Sequence, residues 1–412
     1  MRRFLHLADV GFRILRTEGL RSFVFRTKKR LTSEIIGQSV DMAVKTQDAL
    51  EADWSRPPAQ LSTPTVVESG PVTIAWIMSP PSANSGGHQN LFRFIDFAEK
   101  AGHVCKVYFY TSTPVVVNAK DMRAMMRESG AYPDIAASME MYDRDRGVDP
   151  SVQAIFATGW ETAYPAFLDA STARRFYFVQ DYEPGFYPLG SESILAENTY
   201  RFGFHGITAG GWLSHKLHEE FGMPTDHFDF AVERSLYSVT NTSPRKEIFF
   251  YARPVTPRRG FEIGIMALEE FAKRRPDITI NLAGWDVTRW DLQFPHKNLS
   301  GVDVPALNAI YNRCIAGLVI SASNMSLLPL ELMASGVAPV VNDAPNNRLV
   351  SDNPFIEYVP SSPGAIADRL VEVVDRADAV ERSIAMSKSL DGVTWERSGT
   401  QFVEAFERAM RG

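Results

Sequence analysis

The sequence predicts two α/β domains in tandem, each built around a parallel β-sheet. The chain has 412 residues, more than one hydrophobic core normally organises. A strand, a glycine-containing turn, a helix and another strand follow one another over residues 72–110, which is the unit of a parallel sheet. A second alternation of strands and helices begins at residue 247.

In the first half, apolar and β-branched runs predict the strands. Helical spacing of apolar residues predicts one helix within SANSGGHQNLFRFIDFAEKAG, closed by Gly102. The predicted strands span residues 72–80, 103–110, 154–160, 175–183 and 205–210.

The second half repeats this alternation. Its predicted strands span residues 247–253, 277–285, 316–323 and 337–341. Its predicted helices span residues 261–276, 304–314 and 327–334, the last ended by Gly336. Because open α/β sheets bind ligands at the carboxyl ends of their strands, we expect two Rossmann-like domains facing an interdomain cleft.

Composition narrows the class of protein. The formal net charge of -6 argues against a general nucleic-acid partner. Cys105 and Cys314 lie in apolar segments, which predicts buried thiols in a reducing compartment. The sequence has neither an apolar run near the ~20 residues of a membrane span nor an uninterrupted signal core. We therefore expect a cytoplasmic protein.

Residues 1–30 are strongly basic, with nine Lys or Arg against Asp9 and Glu18, a formal charge of +7. Apolar residues recur among the arginines with helical spacing, so this helix either lies on the anionic inner face of a membrane or packs on the protein body. The stretch QDALEADWSRPPAQLSTPT, residues 47–65, is rich in Pro, Ser and Thr, which indicates a linker. We expect the basic segment and linker to occupy residues 1–60, an acceptor domain residues 61–242 and a donor domain residues 243–390. A C-terminal helix over 391–412 is expected to pack back on the first domain.

Gly86 and Gly87 follow the first predicted strand, where backbone amides at a helix start favour an anion. The spacing is not the dinucleotide fingerprint, and such turns are often only turns. His88 beside them is either a ligand contact or a capping residue.

Arg253, Arg258 and Arg259 follow the strand that opens the second half. Guanidinium groups suit a diphosphate because they are permanently charged and bidentate. A solvated basic loop is the alternative.

The stretch SASNMSLLPLELMASGVAPVV, residues 321–341, joins a strand end to a short helix. Helix-start amides near Ser326 and Leu327 predict an anion site. Glu331 lies about one turn later, where a carboxylate accepts hydrogen bonds from paired sugar hydroxyls. Pairing with an arginine or exposure to water is the alternative for Glu331.

The stretch RFYFVQDYEPGFYP places several polar side chains at a strand end in the first half, where they are candidates to bind or deprotonate a sugar hydroxyl. Solvated acidic residues are the alternative. No His/Cys spacing indicates zinc, and no nucleophile elbow is present. The acceptor candidates are Trp160, Gln180, Asp181, Tyr182 and Glu183.

In this order, these residues resemble the two-domain GT-B glycosyltransferases of family four over roughly residues 70–390. The family sequence LEAMACGVPVV is similar to LELMASGVAPVV here, which implies that Glu331 binds the nucleotide ribose. The family has a second Glu eight positions earlier. Ser323 stands there, and the resemblance places Ser323 and Asn324 beside the donor sugar or phosphate.

A narrower resemblance is carried by SGGHQNLFRFIDFAEKAGH, by YFVQDYEPGFYPLGSESILAENTYRFGF and by Ser323. Together they look like the WsaF-type rhamnosyltransferases of bacterial surface polysaccharides. That resemblance implies dTDP-L-rhamnose as donor, no catalytic metal and retention at the anomeric carbon. It also implies that Arg253 and Arg259 neutralise the leaving diphosphate, and that Trp285, Leu299 and Gly301 hold the base.

The resemblance thus implies a glycosyltransferase that moves L-rhamnose to a glycan acceptor, and we expect this acceptor to be lipid-linked and its hydroxyl to be held or activated by Asp181 or Glu183. One alternative is an enzyme on the same fold that uses another deoxysugar or acts as an epimerase. Another is a non-catalytic glycan-binding subunit. Fold alone does not separate these functions.

Overall fold

The computed structural model describes residues 42–412 except residues 84, 114–116 and 303. The basic helix predicted over residues 1–30 lies outside the described residues. Two parallel sheets organise the remainder, so the prediction of two Rossmann-like domains is confirmed.

The first sheet has seven parallel strands in the order β3-β2-β1-β4-β5-β6-β7. The order reverses between β1 and β4, where an open sheet forms a crevice for ligands. Its strands are β1 (Thr73–Met78), β2 (Val104–Phe109), β3 (Ser138–Met141), β4 (Ala154–Ala157), β5 (Arg174–Val179), β6 (His205–Ala209) and β7 (Thr225–Phe228). Its helices are α1 (Thr46–Glu51), α2 (Gly86–Lys100), α3 (Ala119–Ser129), α4 (Trp160–Leu168), α5 (Ser191–Asn198) and α6 (Gly211–Phe221).

The second sheet has six parallel strands in the order β10-β9-β8-β11-β12-β13, with its reversal between β8 and β11. Its strands are β8 (Glu247–Tyr251), β9 (Thr279–Ala283), β10 (Lys297–Ser300), β11 (Cys314–Val319), β12 (Ala338–Asn342) and β13 (Glu357–Val359). Its helices are α7 (Phe261–Arg274), α8 (Val304–Tyr311), α9 (Leu328–Ala334), α10 (Pro345–Arg348), α11 (Pro363–Val374) and α12 (Ala379–Lys388).

The last helix, α13 (Trp395–Met410), follows the second domain in sequence but packs in the core of the first. Phe402 and Phe406 are fully buried against Trp76 and Phe156, whose own rings stack with centroids 4.3 Å apart. Gly399 leaves room for the Phe97 ring, which would lie 2.5 Å from an added Cβ. The chain therefore crosses between the domains a second time, and the first core depends on the C-terminus.

The stretch interpreted as a linker, residues 47–65, is partly structured instead. It contains α1, and the buried Asp48 carboxylate accepts hydrogen bonds from Tyr110 Oη at 2.6 Å and Arg144 Nη1 at 3.1 Å. Val44 belongs to the core beneath. Composition alone indicated a linker because the stretch is rich in Pro, Ser and Thr, but these specific contacts attach it to the first domain.

Candidate active site

The two domains meet through the loops that follow their strands. Asp181 follows β5 in the first domain, and Asn324 follows β11 in the second. The backbone N–H of Asn324 donates to Oδ1 of Asp181 at 2.8 Å, and Arg258 Nε donates to Oδ2 at 3.3 Å. The candidate site lies around these contacts, at the carboxyl ends of both sheets.

The glycine turn after β1 is held by His88. The ring Nε2–H of His88 donates to the carbonyl oxygen of Ser79 at 2.9 Å, and its Nδ1 accepts from the Ser85 hydroxyl at 2.7 Å. Burial is the main cause of a lowered pKa for His88, which favours this neutral form. His88 therefore braces the turn and Ser85 caps α2, while Gly86 and Gly87 stay exposed at the helix start.

Gln180 links the glycine turn to the end of β5. Its Nε2 donates to the carbonyl oxygen of Gly87 at 3.2 Å, and its Oε1 accepts from Asn90 Nδ2 at 3.1 Å. Both ends of the amide are used, which a carboxylate at this position would not allow. Gln180 therefore lies beside the predicted anion site. Nothing in the sequence pattern indicated Asn90.

Asp181 reaches across to the second domain. Its Oδ1 also accepts from the N–H of Tyr182 at 2.9 Å, and its Oδ2 lies 4.0 Å from Arg259 Nη2. Among the described residues, Oδ1 thus has two amide donors, whereas Oδ2 accepts one direct hydrogen bond. Oδ2 retains the capacity to accept another donor, such as a sugar hydroxyl.

The structure corrects the assignment of Glu183. Its side chain is buried, and its Oε2 accepts from the backbone N–H of Trp160 and from Tyr177 Oη, the latter at 2.9 Å. Burial and then the neighbouring Glu161 raise its pKa well above the usual range. Because this carboxyl is buried and bonded to two donors of the first domain, Glu183 supports the fold instead of facing the cleft.

Trp160 and Tyr182 also belong to the packing of the first domain. Trp160 opens α4 instead of ending a strand, is buried, and donates from Nε1 to Tyr187 Oη at 3.0 Å. Its assignment to the acceptor surface is therefore wrong. The Tyr182 ring stacks on Tyr200 with centroids 5.9 Å apart and lies under the Lys216 ammonium.

Arg259 lies between the two strand ends of the second domain. Its Nη1 donates to Ser321 Oγ at 2.7 Å and to the carbonyl oxygen of Asn324 at 3.3 Å. Gly260 makes this placement possible, because its φ is +58° and an added Cβ would lie 2.5 Å from Ile320 Cγ2. The Arg259 guanidinium is therefore held in place by hydrogen bonds, in the region where the two domains meet.

The two neighbouring arginines differ from Arg259. Arg253 is exposed and its Nη1 donates to Tyr251 Oη at 2.9 Å, and no other described residue bonds its guanidinium. Arg258 lies over the Phe186 ring, 4.1 Å from its centroid, and pairs with Asp181. Arg258 is thus a contact between the domains, whereas the sequence predicted either a diphosphate ligand or a solvated loop residue.

The polar loop after β11 is almost fully enclosed. Ser321, Ser323 and Asn324 are each at most 2 % exposed. Ser321 N–H donates to Asn342 Oδ1 at 2.8 Å, and the Asn346 side chain binds the carbonyl oxygens of Ser321 and Ser323. Within the described part of the chain, the buried Ser323 Oγ has no hydrogen-bond partner. The sequence did not indicate Asn342 and Asn346 as site residues, because both lie beyond the stretch 321–341.

Glu331 is half-buried in α9, one turn from the half-buried Ser326 and Leu327. Burial raises the pKa of Glu331 to about 7, and its charge acts on the nearby phenols of Tyr237 and Tyr311. None of the residues that the structure describes gives its carboxylate a hydrogen bond or an ion pair. The proposed pairing with an arginine is therefore not found.

The three residues assigned to the base lie on adjacent strand ends. Trp285 is 40 % exposed just after β9, Leu299 lies in β10 and Gly301 follows it. The N–H of Gly284 donates to the carbonyl oxygen of Ser300 at 2.7 Å, which joins the two strand ends. The exposed indole is therefore free to contact a flat ring.

Across residues 42–412, apart from the few undescribed positions, no three His, Cys, Asp or Glu side chains come together as metal ligands. The helices described also lack the combination of length and apolarity that a membrane span requires. Buried thiols were expected, and Cys105 and Cys314 are both free and buried.

Two family models match the chain. Residues 151–209 match the N-terminal domain of WsaF, and residues 246–371 match its C-terminal domain. The O-antigen biosynthesis protein RfbC of Myxococcus xanthus is 29% identical over 373 residues, which are 88% of this chain and 28% of that protein. The chain therefore spans little more than a quarter of the length of that relative.

Solved structures share the fold at low sequence identity. Sucrose-phosphate synthase from Thermosynechococcus elongatus aligns with a TM-score of 0.60 at 12% identity, over 82% of this chain and 99% of its own. TarM from S. aureus, as a mutant in complex with UDP and other ligands, aligns at 0.63 and 9% over 81% and 99%. HepE from Anabaena in complex with UDP and glucose aligns at 0.58 and 13% over 82% and 100%.

Each of the two family models falls on one of the two parallel sheets. The WsaF N-terminal match covers β4 to β6, which carry Gln180 and Asp181, and the C-terminal match covers β8 to β13, which carry Arg259 and Glu331. Residues 151–209 and 246–371 are thus similar to the two domains of WsaF, and the chain has the GT-B glycosyltransferase fold.

Proposed function

We propose that the chain is a glycosyltransferase of surface-polysaccharide synthesis that transfers L-rhamnose from dTDP-L-rhamnose to a glycan acceptor. The observation that carries this proposal is the position of Arg259. Its guanidinium lies between Ser321 of the second domain and Asp181 of the first. A donor diphosphate bound there contacts a fixed positive charge. The neighbouring Asp181 Oδ2 can still accept a further hydrogen bond.

The second domain binds the nucleotide in this proposal. Trp285 contacts the base and Glu331 accepts hydrogen bonds from the ribose hydroxyls. Arg253 and Arg259 bind the diphosphate and stabilise the charge that develops as the bond to the sugar breaks. The Arg253 guanidinium is exposed and the Glu331 carboxylate has no hydrogen-bond partner among the described residues, so both are available to a ligand.

The sugar specificity rests on Ser323. The resemblance places a carboxylate here in the wider family, and the smaller hydroxyl suits a donor without a 6-hydroxyl. Ser323 Oγ is buried and lacks a partner among the described residues, which costs free energy until a ligand supplies a hydrogen bond. Retention at the anomeric carbon follows only from the resemblance and is part of the proposal.

The first domain binds the acceptor. Asp181 Oδ2 holds or deprotonates the attacking hydroxyl, and Gln180 lines the same strand end. The name of the M. xanthus relative refers to O-antigen biosynthesis, which fits a lipid-linked glycan acceptor at the cytoplasmic face of a membrane. The basic residues 1–30 would then hold the enzyme at that surface. No metal takes part, because the arginines supply the charge.

Calorimetric titration of the protein with dTDP, UDP and GDP, without metal and with EDTA, tests the donor. We expect dTDP to bind and the other two to bind more weakly. HepE was solved with UDP, so a preference for UDP is a real competitor and would overturn the thymidine assignment while keeping the fold. A requirement for a divalent cation would overturn the metal-free proposal.

A donor panel then separates the alternatives. dTDP-L-rhamnose is compared with other nucleotide-linked deoxysugars, and the released or transferred sugar is identified. Release of an isomerised sugar would indicate an epimerase. Binding of glycan without binding of any nucleotide would indicate a non-catalytic subunit, against which the ordered Arg259 argues.

A further inference from the structure

Asn324 uses all of its hydrogen-bond donors on the first domain. Its Nδ2 donates to the carbonyl oxygen of Gln180 at 2.9 Å and to that of Ala209 at 2.8 Å, while its N–H binds Asp181. Its own carbonyl oxygen accepts from Arg259 at 3.3 Å. Asn324 therefore connects two strand ends of the first domain to Arg259 of the second domain, which is the arginine proposed to bind the diphosphate.

The chemistry of these partners requires an amide. Gln180 follows β5 and Ala209 ends the neighbouring β6, and their carbonyl oxygens only accept hydrogen bonds. An NH₂ group offers two donors from one atom and fits between them. An aspartate of the same shape would place oxygen against both carbonyls and add a second carboxylate beside Asp181.

The burial of Asn324 depends on the contact between domains. Asn324 is 1 % exposed, and the acceptors of its N–H groups all belong to the first domain. If the domains separate, water satisfies the two carbonyls and the amide, so these bonds favour the closed form only by their net strength. Arg258 stacked on Phe186 adds a second contact across the same boundary.

We infer that Asn324 is a positioning residue that holds the cleft closed and so sets Arg259 against Asp181. This inference rests on the proposed function for its catalytic consequence, though not for the closure itself. Its location also replaces the earlier expectation that Asn324 binds the donor directly. A nucleotide held by the second domain alone does not need Asn324, whereas a reaction across the cleft does.

The test uses the full chain with Asn324→Ala and Asn324→Asp, after circular dichroism has shown that each folds. The control is Asn353→Ala, because Asn353 Nδ2 donates to Ser389 Oγ within the second domain, at 3.0 Å. Small-angle X-ray scattering without ligand gives the radius of gyration. Hydrogen exchange reports protection of the amides over residues 321–327, and if Asn324→Asp fails to fold, Asn324→Ser takes its place.

We expect both variants, but not the control, to have a larger radius of gyration and faster exchange in this loop. We also expect turnover to fall at least about tenfold, the scale of two lost hydrogen bonds. The Kd for dTDP should stay within about twofold.

Unchanged scattering and exchange in the Ala variant would overturn the inference, even if the Asp variant opens through repulsion. Loss of dTDP affinity equal to the loss of turnover would make Asn324 a donor ligand and also overturn it. If wild type does not bind dTDP, the donor assignment fails, while scattering and exchange still decide whether Asn324 closes the cleft.

Discussion

At the scale of single residues, Arg259 is the group on which the proposed chemistry depends most. Arg259→Ala should lower turnover by about 10²-fold or more, because a preorganised charge that stabilises the leaving group is lost. Steady-state kinetics with dTDP-L-rhamnose check this. Arg274→Ala is the matched control, since that arginine pairs with Asp368 at 2.6 Å on the surface of α7. Near-normal turnover in Arg259→Ala would remove it from the site.

The ionised Glu331 carboxylate should lower the stability of the fold while strengthening the binding of dTDP. Its pKa of about 7 lies above the usual 4.5, so the folded state binds the proton more tightly and loses stability as pH rises from about 4.5 to 7. Glu331→Gln should therefore raise the free energy of unfolding by about 2–3 kcal/mol at pH 8 and by much less at pH 5. Urea unfolding at both pH values measures this.

The same substitution should weaken dTDP binding by about 1–3 kcal/mol at pH 8, the scale of a charged hydrogen bond to the ribose. In the wild type, ribose hydroxyls favour the carboxylate, so dTDP affinity should rise between pH 6 and pH 8. Calorimetry across this range tests both points. If Glu331→Gln is more stable and binds dTDP equally well, Glu331 does not contact the nucleotide.

At the scale of elements, the turn from β8 into α7 depends on Gly260. Gly260→Ala forces a side chain into the left-handed region and toward Ile320, so the turn that carries Arg259 must shift. We expect a loss of about 1–3 kcal/mol in stability together with reduced turnover. Gly364→Ala in α11 is the control, because nothing lies within 4 Å of its added Cβ, and it should not destabilise. Equal behaviour of the two variants in thermal unfolding and kinetics would contradict this account.

The elements that the sequence predicted are the buried ones. β1, β4, β8 and β11 lie in sheet interiors, where both faces are covered and the run is almost wholly apolar. The shorter strands β7 (TDHF) and β10 (KNLS) lie at sheet edges and carry polar side chains, so apolar patterning did not indicate them. An edge strand forms by pairing with a strand elsewhere in the chain. The local sequence contains no information about that partner, so it does not predict the edge strand.

The sequence predicted which strand ends form the candidate site. It did not predict in which direction the side chains at those strand ends point. Asp181 and Arg259 lie where expected, since residues after parallel strands face the crevice. Glu183 lies two residues beyond Asp181 yet is buried, because a 3₁₀ turn over Glu183–Phe186 directs it back to the start of α4. Trp160 was misplaced because β4 ends three residues earlier and a helix begins there.

At the scale of the whole molecule, α13 makes the first domain depend on the end of the chain. Phe402 is fully buried among Trp76, Phe94 and Phe156, so Phe402→Ala should cost about 3–5 kcal/mol through a cavity in an aromatic core. Leu50→Ala, at a side chain 75 % exposed, should change stability by less than about 0.5 kcal/mol. Denaturant unfolding followed by tryptophan fluorescence measures both, and a small effect at Phe402 would show that α13 is not part of that core.

The basic segment, residues 1–30, should govern where the whole molecule resides. Its formal charge of +7 adds attraction to anionic headgroups, and its apolar residues add burial at the interface. Deleting it should reduce co-sedimentation with vesicles containing anionic lipid, while neutral vesicles bind weakly in either case. Replacing its arginines by glutamine should make the residual binding insensitive to salt, because the electrostatic contribution is removed. If binding to anionic vesicles persists after the deletion, another surface contacts the membrane, and packing of the helix on the protein body becomes the better interpretation.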